Sequence, residues 1–239
     1  MYGWRGRIGL IIPSSNTTME PEFWRMAPEG VSVHTARMKL SAVTVEELVE
    51  MEKDAVRAAQ LLATADVDIV VYGCTTGSLV KGPGYDREIT EKLTRATGIK
   101  AVATATAVLE ALEELGARRV ALATPYIEEV NRKEVEFLES QGYKVVDLKY
   151  LGIRENTEIG RQTPQIAYRL AKSLETSSAD AVFISCTNFR TIEVIKLLEK
   201  DLGIPVFSSN TATMWLTLKE LGLREPIRGY GMLLEEHLR

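Results

Sequence analysis

Apolar and polar residues follow one another along the chain in blocks that predict strands and helices in turn. The first block, 7–12, is apolar and β-branched and stops at Pro13, as expected of a buried strand. Over 45–62, apolar residues recur every three or four positions and charged residues fill the other face, which predicts a helix. Similar patterns predict strands at 31–38, 68–74, 100–104, 119–124, 144–149, 180–186 and 204–208. They predict further helices at 85–97, 105–115, 127–141, 164–174 and 191–202, and a final helix beyond 209–211.

The chain also contains an internal repeat. Its two cysteines, Cys74 and Cys186, each end an apolar strand and lie 112 residues apart. Pro13 and Pro125 end two earlier strands with the same separation of 112 residues. A third similarity, between 98–107 and 203–212, has an offset of 105 residues. These matches indicate two copies of one α/β unit. We therefore expect two pseudo-symmetric lobes, each a four-stranded parallel sheet flanked by helices, with one thiol on each wall of a shared cleft.

Composition limits the classes of function. The 239 residues are 45% hydrophobic and 26% charged, which is typical of a soluble globular protein, and the net charge is −4. Because no basic cluster occurs, we expect no nucleic-acid partner. The apolar runs are only as long as strands, so we expect no membrane span, and no signal peptide is visible. These features together favour a cytoplasmic protein.

The motifs that the sequence lacks narrow the chemistry further. No Gly-x-Gly-x-x-Gly segment follows the first strand and no Walker A sequence occurs, so nucleotide cofactors are not indicated. The two histidines, His34 and His237, belong to no metal-like cluster, and no Cys-x-x-Cys pair is present. The sequence therefore predicts neither a metal nor another cofactor, and the two thiols are the candidate reactive groups.

Free cysteines are most often buried and inert, and each cysteine taken alone favours that interpretation. Their matched positions in the two halves favour a shared function instead. We expect each thiol to lie just before a helix N-terminus, whose field lowers the thiol pKa below its usual value of about 8.5. Two thiolates across a small cleft repel each other, so we expect one thiolate and one thiol.

Neutral hydrogen-bonding side chains follow several predicted strands. The segment 14–18, Ser-Ser-Asn-Thr-Thr, is equally compatible with a capped turn and with an anion-binding loop. The stretch 151–160 has no clear element, and its Asn156 is either loop surface or a ligand contact. Ligands of open α/β sheets lie at the carboxyl ends of strands, and uncharged donors there suit a small dicarboxylate substrate. The candidate binding residues are Asn16, Thr75, Thr76, Tyr126, Asn156, Thr187 and Asn188.

Four segments resemble one known family. They are 13–22 (Pro-Ser-Ser-Asn-Thr-Thr-Met-Glu-Pro-Glu), 73–78 (Gly-Cys-Thr-Thr-Gly-Ser), 125–126 (Pro-Tyr) and 185–188 (Ser-Cys-Thr-Asn). These segments are similar to the maleate isomerase and arylmalonate decarboxylase group of the aspartate/glutamate racemase superfamily, and the similarity extends over nearly the whole chain. The resemblance implies an active site between two lobes, a homodimer, and a helix after each fourth strand that crosses to the other lobe. We accordingly expect an N-terminal lobe of 1–104 with 210–239 and a C-terminal lobe of 105–209.

The same resemblance implies roles for individual residues. Cys74 matches the nucleophilic cysteine of maleate isomerases, and Cys186 matches the second catalytic cysteine. Asn16, Tyr126 and Asn156 match the residues that hold the substrate carboxylates. Decarboxylases of this group keep only the second cysteine, so the presence of both argues against plain decarboxylation. The implied function is cofactor-independent isomerisation of maleate to fumarate, in which Cys74 adds to the alkene and Cys186 handles the proton.

Alternatives stay open at this point. Two opposed thiols also suit an aspartate or glutamate racemase, in which both thiols exchange the α-proton and no adduct forms. An arylmalonate decarboxylase-like enzyme is a further alternative. A non-catalytic carboxylate-binding protein would bind a similar ligand while both thiols stay unreactive near neutral pH.

Overall fold

The computed structural model describes residues 2–239 and contains two four-stranded parallel sheets. The strands are β1 (Gly6–Pro13), β2 (Val31–Met38), β3 (Ile69–Tyr72), β4 (Ala101–Ala103), β5 (Arg119–Thr124), β6 (Lys144–Tyr150), β7 (Ala181–Ile184) and β8 (Val206–Ser208). The first sheet has the order β2-β1-β3-β4 and the second has the order β6-β5-β7-β8. The predicted fold class is therefore confirmed, and the strand order repeats from one lobe to the other.

Helices cover both faces of each sheet, which explains why the central strands are apolar on both sides. Within residues 2–239 the α-helices are α1 (Met19–Met26), α2 (Val45–Met51), α3 (Ala55–Ala63), α4 (Tyr85–Thr97), α5 (Thr104–Glu114), α6 (Glu128–Ser140), α7 (Asn156–Gly160), α8 (Pro164–Lys172), α9 (Ile195–Leu202), α10 (Ser209–Glu220) and α11 (Met232–Glu235). Two short 3₁₀ helices cover Glu52–Asp54 and Thr76–Ser78. In this part of the chain, no helix has the combined length and apolar character that crossing a bilayer requires.

Some helices differ from the prediction for identifiable reasons. The single helix predicted over 45–62 is divided at Glu52–Asp54, where the Glu52 carboxylate turns inward and pairs with Lys81 and Lys92. Helices α1, α7 and α11 lie in segments where the sequence predicts none. Each is at most eight residues long, so its apolar spacing has too few repeats to be recognised.

Corresponding hydrogen bonds in the two lobes place the cysteines at corresponding strand ends. Gly73 N donates to Ile11 O at 2.7 Å, which joins the end of β3 to β1. In the second lobe, Ser185 N donates to Ala123 O at 2.8 Å and joins the end of β7 to β5 in the same way. Since a cysteine follows directly after each of these donors, the duplication brings both thiols to the carboxyl edges of their sheets.

Helix α10 connects the two lobes. Helix α10 follows β8 of the second sheet, but it packs against α1 and against β3 and β4 of the first sheet. It also packs against α5, which follows β4. Ser208 Oγ caps α10 by accepting from Thr211 N at 3.3 Å, and residues from Ser209 to Leu218 are all buried. The start of α10 therefore lies in the interior, close to the ends of both central strands.

Candidate active site

Cys74 lies in a tight turn directly after β3. Its sulfur accepts a hydrogen bond from Gly77 N at 3.3 Å, and the Thr76 hydroxyl oxygen is 4.0 Å away. A Cβ atom at residue 77 would lie 2.9 Å from the Cys74 sulfur and 2.7 Å from Met51 Cε. Glycine is therefore required at residue 77 for the backbone to approach the thiol this closely.

Cys186 follows β7 in an unusual backbone conformation. Its φ of 98° lies in the left-handed region that residues with a Cβ atom rarely adopt. The sulfur accepts from Asn188 N at 3.3 Å, and the Cys186 backbone N donates to Ser209 Oγ at 3.0 Å. These hydrogen bonds hold the thiol in place, although the backbone conformation of Cys186 is itself unfavourable.

The two cysteine turns contact each other. Thr187 Oγ1, next to Cys186, donates to Gly73 O at 3.3 Å and accepts from Asn16 Nδ2 at 3.0 Å. Both cysteines belong to one apolar cluster, and charge on Cys74 raises the pKa of the Cys186 thiol. The two cysteine turns are therefore in contact, and charge on one thiol affects the other.

Ser209 is a bridging residue that the sequence analysis missed. Its hydroxyl oxygen accepts from Thr75 Oγ1 at 2.8 Å as well as from the backbone of Cys186, so it connects both turns. The side chain is fully buried at the start of α10. The sequence feature that pointed to Ser209 was its position directly after a predicted strand. Many residues outside the site have the same feature.

The asparagines predicted to bind substrate are all hydrogen-bonded inside the protein, and Asn156 and Asn188 bond to each other. Asn16 Oδ1 accepts from two backbone N–H groups at the start of α1, both at 2.9 Å, so the segment 14–18 forms a capped turn. Asn188 Nδ2 donates to Asn156 O at 2.7 Å, and Asn156 Nδ2 donates to Ser15 Oγ at 2.8 Å. All three asparagines are buried, and Asn156 is the first residue of α7 rather than part of an exposed loop.

Tyr126 completes the set of predicted residues. It is fully buried after β5. Burial raises the pKa of the Cys186 thiol, and the Tyr126 phenol lowers it in part. Ser185 Oγ lies 3.5 Å from the Tyr126 hydroxyl and donates to Glu134 Oε1 at 2.6 Å. The structure thus brings together every residue that the sequence predicts for the site, while their roles stay predictions.

The thiols are less acidic than predicted. Burial raises the pKa of Cys74 to about 11 and that of Cys186 to about 12, and the hydrogen bonds to each sulfur offset only part of the effect. The prediction that a helix terminus lowers these pKa values is wrong, because no α-helix begins at either thiol. A three-residue 3₁₀ helix follows Cys74, and α9 begins only at Ile195. Both thiols are therefore protonated at neutral pH, and a thiolate has to form during a reaction.

Glu22 is a buried carboxyl group that holds the Cys186 segment from α1. Its Oε1 accepts from Thr191 N at 2.9 Å, and its Oε2 accepts from Asn210 Nδ2 at 2.6 Å. Asn210 Nδ2 also donates to Thr187 O at 3.1 Å. Because Glu22 takes backbone N–H groups of 191–192, the predicted helix 191–202 starts later than expected. The sequence analysis missed Glu22 because α1 is too short for its buried face to be recognised.

We expect the protein to lose stability as the pH rises from about 5 to about 7. Burial raises the pKa of both Glu22 and Glu134 from 4.5 to about 7, so the folded state binds more protons than the unfolded chain in this window. The stabilisation is complete below the unfolded pKa and is lost as the pH rises through the folded pKa, by at most about 3 kcal/mol per group.

Chemical denaturation across this pH range measures the effect. A Glu22→Gln substitution is expected to remove part of the decrease, whereas Glu136→Gln on the exposed face of α6 should leave it intact. A free energy of unfolding that increases from about pH 5 to about pH 7 would contradict the assignment.

Within residues 2–239, no group of three or more histidine, cysteine, aspartate or glutamate side chains is arranged to hold a metal ion. The side chains present at the site are two thiols, a phenol, buried carboxyl groups and neutral amide and hydroxyl donors.

Comparisons with known proteins agree on one family. A family model described as arylmalonate decarboxylase matches residues 8–234. The chain is 34% identical to the maleate isomerase of Geobacillus stearothermophilus, over 95% of this chain and 96% of that protein.

Solved structures of two maleate isomerases have the same fold as this chain. One is a cysteine-to-alanine variant of the maleate isomerase Iso from Pseudomonas putida S16 with maleate. This structure aligns with the present chain with a TM-score of 0.94 and 31% sequence identity. The alignment covers 98% of this chain and 99% of that chain. The other is a cysteine-to-serine variant of the Nocardia farcinica maleate cis-trans isomerase with a covalently bound succinylcysteine intermediate. It aligns with a TM-score of 0.92 and 30% sequence identity, over 97% of this chain and 98% of that chain.

Proposed function

The chain belongs to the arylmalonate decarboxylase family, and within this family we propose that it isomerises maleate to fumarate without a cofactor. The observation that carries the proposal is the pair of thiols at corresponding strand ends, whose turns contact each other and lie among buried neutral donors. The similarity to a maleate isomerase whose structure contains a succinylcysteine supports an adduct on one of these thiols.

The proposed reaction begins with the thiolate of Cys74. Its sulfur bonds to one alkene carbon of maleate, and the alkene electron pair moves toward the other alkene carbon and its carboxylate. The Cys186 thiol then gives its proton to that second carbon. The products of this half-reaction are a succinyl group bound to Cys74 and a thiolate at Cys186, so the single negative charge has moved from one sulfur to the other.

The second half-reaction reverses these steps after rotation. The former double bond is now a single bond, and rotation about it brings the carboxylates to opposite sides. The Cys186 thiolate removes a proton from the second carbon, the electron pair re-forms the double bond, and the bond to Cys74 breaks. Fumarate leaves, and both sulfur atoms return to their starting protonation states.

The surroundings of the thiols fit this exchange of charge. Each sulfur already accepts one backbone N–H bond, from Gly77 and from Asn188, so either thiolate has a donor in place. Burial, which raises both pKa values, makes whichever thiolate forms a strong base and a strong nucleophile. We therefore expect Cys74 to give its proton to water as the substrate binds, and to regain a proton from water after fumarate leaves.

We propose that the neutral donors around the thiols bind the two carboxylates of the substrate. The residues are Asn16, Thr75, Thr76, Tyr126, Asn156, Thr187 and Asn188. Several of them hydrogen-bond to one another and are buried, so their rotamers are fixed before binding. Uncharged donors hold a dicarboxylate without adding a permanent positive charge that would stabilise the resting substrate more than the transition state.

Proton NMR after incubation with maleate tests the function. We expect fumarate to appear and the intact mass after rapid quenching to include protein with one added maleic acid. Loss of optical rotation from aspartate or glutamate without an adduct would instead identify a racemase. Carbon dioxide release from an arylmalonate would identify a decarboxylase. Stabilisation by maleate with no product and with thiols unreactive to alkylation would identify a binding protein.

We also propose the lobe boundaries 1–104 with 210–239 and 105–209, which the packing of α10 against β3 and β4 supports. A homodimer and a cytoplasmic location stay predictions that rest on the family resemblance and on the sequence.

A further inference from the structure

Gly160, the last residue of α7, lies against the amide side chain of Asn188. A Cβ atom at residue 160 would be 3.0 Å from Asn188 Oδ1 and 3.1 Å from Asn188 Nδ2, and 2.7 Å from Thr17 Oγ1. The φ angle of Gly160 lies outside the left-handed region, so alanine could adopt the same backbone. The lack of space for a side chain, rather than the backbone conformation, therefore requires glycine at this position.

Hydrogen bonds hold the Asn188 amide where Gly160 meets it. Its Oδ1 accepts from Thr17 N at 2.9 Å, and its Nδ2 donates to Asn156 O at 2.7 Å. Asn156 is the first residue of α7 and Gly160 is the last, so both ends of this helix contact the same amide. A methyl group at residue 160 would consequently push Asn188 and α7 apart, because the amide cannot rotate away without losing these bonds.

The position of Asn188 matters to three parts of the site. Thr17, whose backbone N–H donates to the amide, directly follows Asn16 in the loop after β1. Asn156 is another of the predicted carboxylate-binding residues, and it bonds to Asn188 directly. The backbone N of Asn188 donates to the Cys186 sulfur at 3.3 Å. A shift of Asn188 therefore disturbs the segments that carry Asn16, Asn156 and Cys186 together.

We propose that Gly160 is a positioning residue for the dicarboxylate site. Its missing side chain lets α7 lie directly on the Asn188 amide, and this contact keeps the carboxylate donors on α7 and on the loop after β1 at a fixed separation. The inference rests on the proposed function, in which these donors hold the two carboxylates of maleate.

A Gly160→Ala substitution tests the proposal by adding one methyl group at the contact. Alanine suits a helix at least as well as glycine, so the methyl group is the only unfavourable change. We expect kcat/KM for fumarate formation from maleate to fall roughly tenfold or more, since a misplacement of about 1 Å in an active site costs on the order of a hundredfold. Most of this change should appear in KM. The control Glu158→Ala, at an exposed residue of the same helix, should keep the wild-type kcat and KM.

Binding of succinate measures the same geometry without a reaction, because succinate has no double bond. We expect its Kd, measured by titration calorimetry, to rise roughly tenfold in Gly160→Ala and to stay constant in Glu158→Ala. An unchanged Kd in Gly160→Ala would overturn the positioning role, even in a protein that forms fumarate. A raised Kd in a protein that forms no fumarate would uphold the positioning role and reject the proposed function. A wild-type protein that binds no succinate would overturn both.

Chemical denaturation shows whether the effect passes through Asn188. Gly160→Ala should lower the free energy of unfolding of the wild type but not that of an Asn188→Ala variant, which lacks the amide. In a Thr17→Ala background, which relieves only the hydroxyl contact and so helps Gly160→Ala to fold, the decrease should persist. Equal destabilisation by Gly160→Ala with and without the Asn188 amide would assign the effect to another contact and overturn the proposal.

Discussion

A Cys74→Ser variant is expected to form fumarate from maleate with a kcat roughly 10⁴-fold or more below that of the wild type. The serine hydroxyl is far less acidic than a thiol, and burial at this position opposes ionisation further. The variant should therefore form no covalent adduct. Proton NMR and intact mass after quenching measure the two expected losses.

The structure suggests that this substitution leaves the fold intact. A serine hydroxyl at residue 74 keeps the volume close to that of the thiol and can still accept from Gly77 N. We therefore expect thermal unfolding and stabilisation by maleate to change little, which separates loss of chemistry from loss of binding. A variant that keeps wild-type turnover, or that still forms an adduct, would show that Cys74 is not the nucleophile.

The second large effect is expected for the Cys186→Ser variant. In this variant the covalent adduct should accumulate, whereas the Cys74→Ser variant should form none. In this variant a proton from water replaces that of the Cys186 thiol and completes the succinyl adduct during the incubation. Without the Cys186 thiolate no strong base can remove the proton again, so the second half-reaction stops. We expect kcat to fall by roughly 10³-fold or more, while most of the protein gains the mass of one maleic acid. Peptide mapping should locate that mass on Cys74.

The two cysteine variants distinguish isomerisation from racemisation. In a racemase both thiols exchange the α-proton of the substrate, and neither one forms a covalent bond to it. Each serine variant should therefore lose activity without forming an adduct. A Cys186→Ser protein that remains unmodified after incubation with maleate would therefore contradict the assigned division of roles.

Much of the fold could be predicted because the local spacing of apolar residues determines most of the strands and helices. The strand predicted at 119–124 has the bounds observed for β5, and α4 has the bounds predicted from its apolar spacing and the glycine that follows it. The internal repeat also predicted that Cys74 and Cys186 would end corresponding strands. The repeat therefore predicted which two distant residues occupy equivalent positions in the fold. The apolar pattern of a single strand or helix cannot predict this.

What the sequence could not supply depends on burial and on contacts between distant segments. The pKa of Cys74 was predicted in the wrong direction for two reasons. Burial, which raises it, depends on the packing of distant segments, and the short 3₁₀ helix after Cys74 has no repeating pattern that distinguishes it from the start of an α-helix. Ser209 was missed because its partners lie in both cysteine turns, far away along the chain. Glu134 did carry a signal, as a charged residue four positions after Val130 on the buried face of α6.

The left-handed backbone at Cys186 determines which replacements isolate its chemistry. A residue with a Cβ atom at such a position typically carries a conformational cost of about 1–3 kcal/mol, which serine retains and glycine removes. A glycine variant would consequently mix a gain in heat resistance with the loss of the acid. Serine is therefore the replacement that tests the thiol alone, because it leaves the main chain in the same unfavourable conformation.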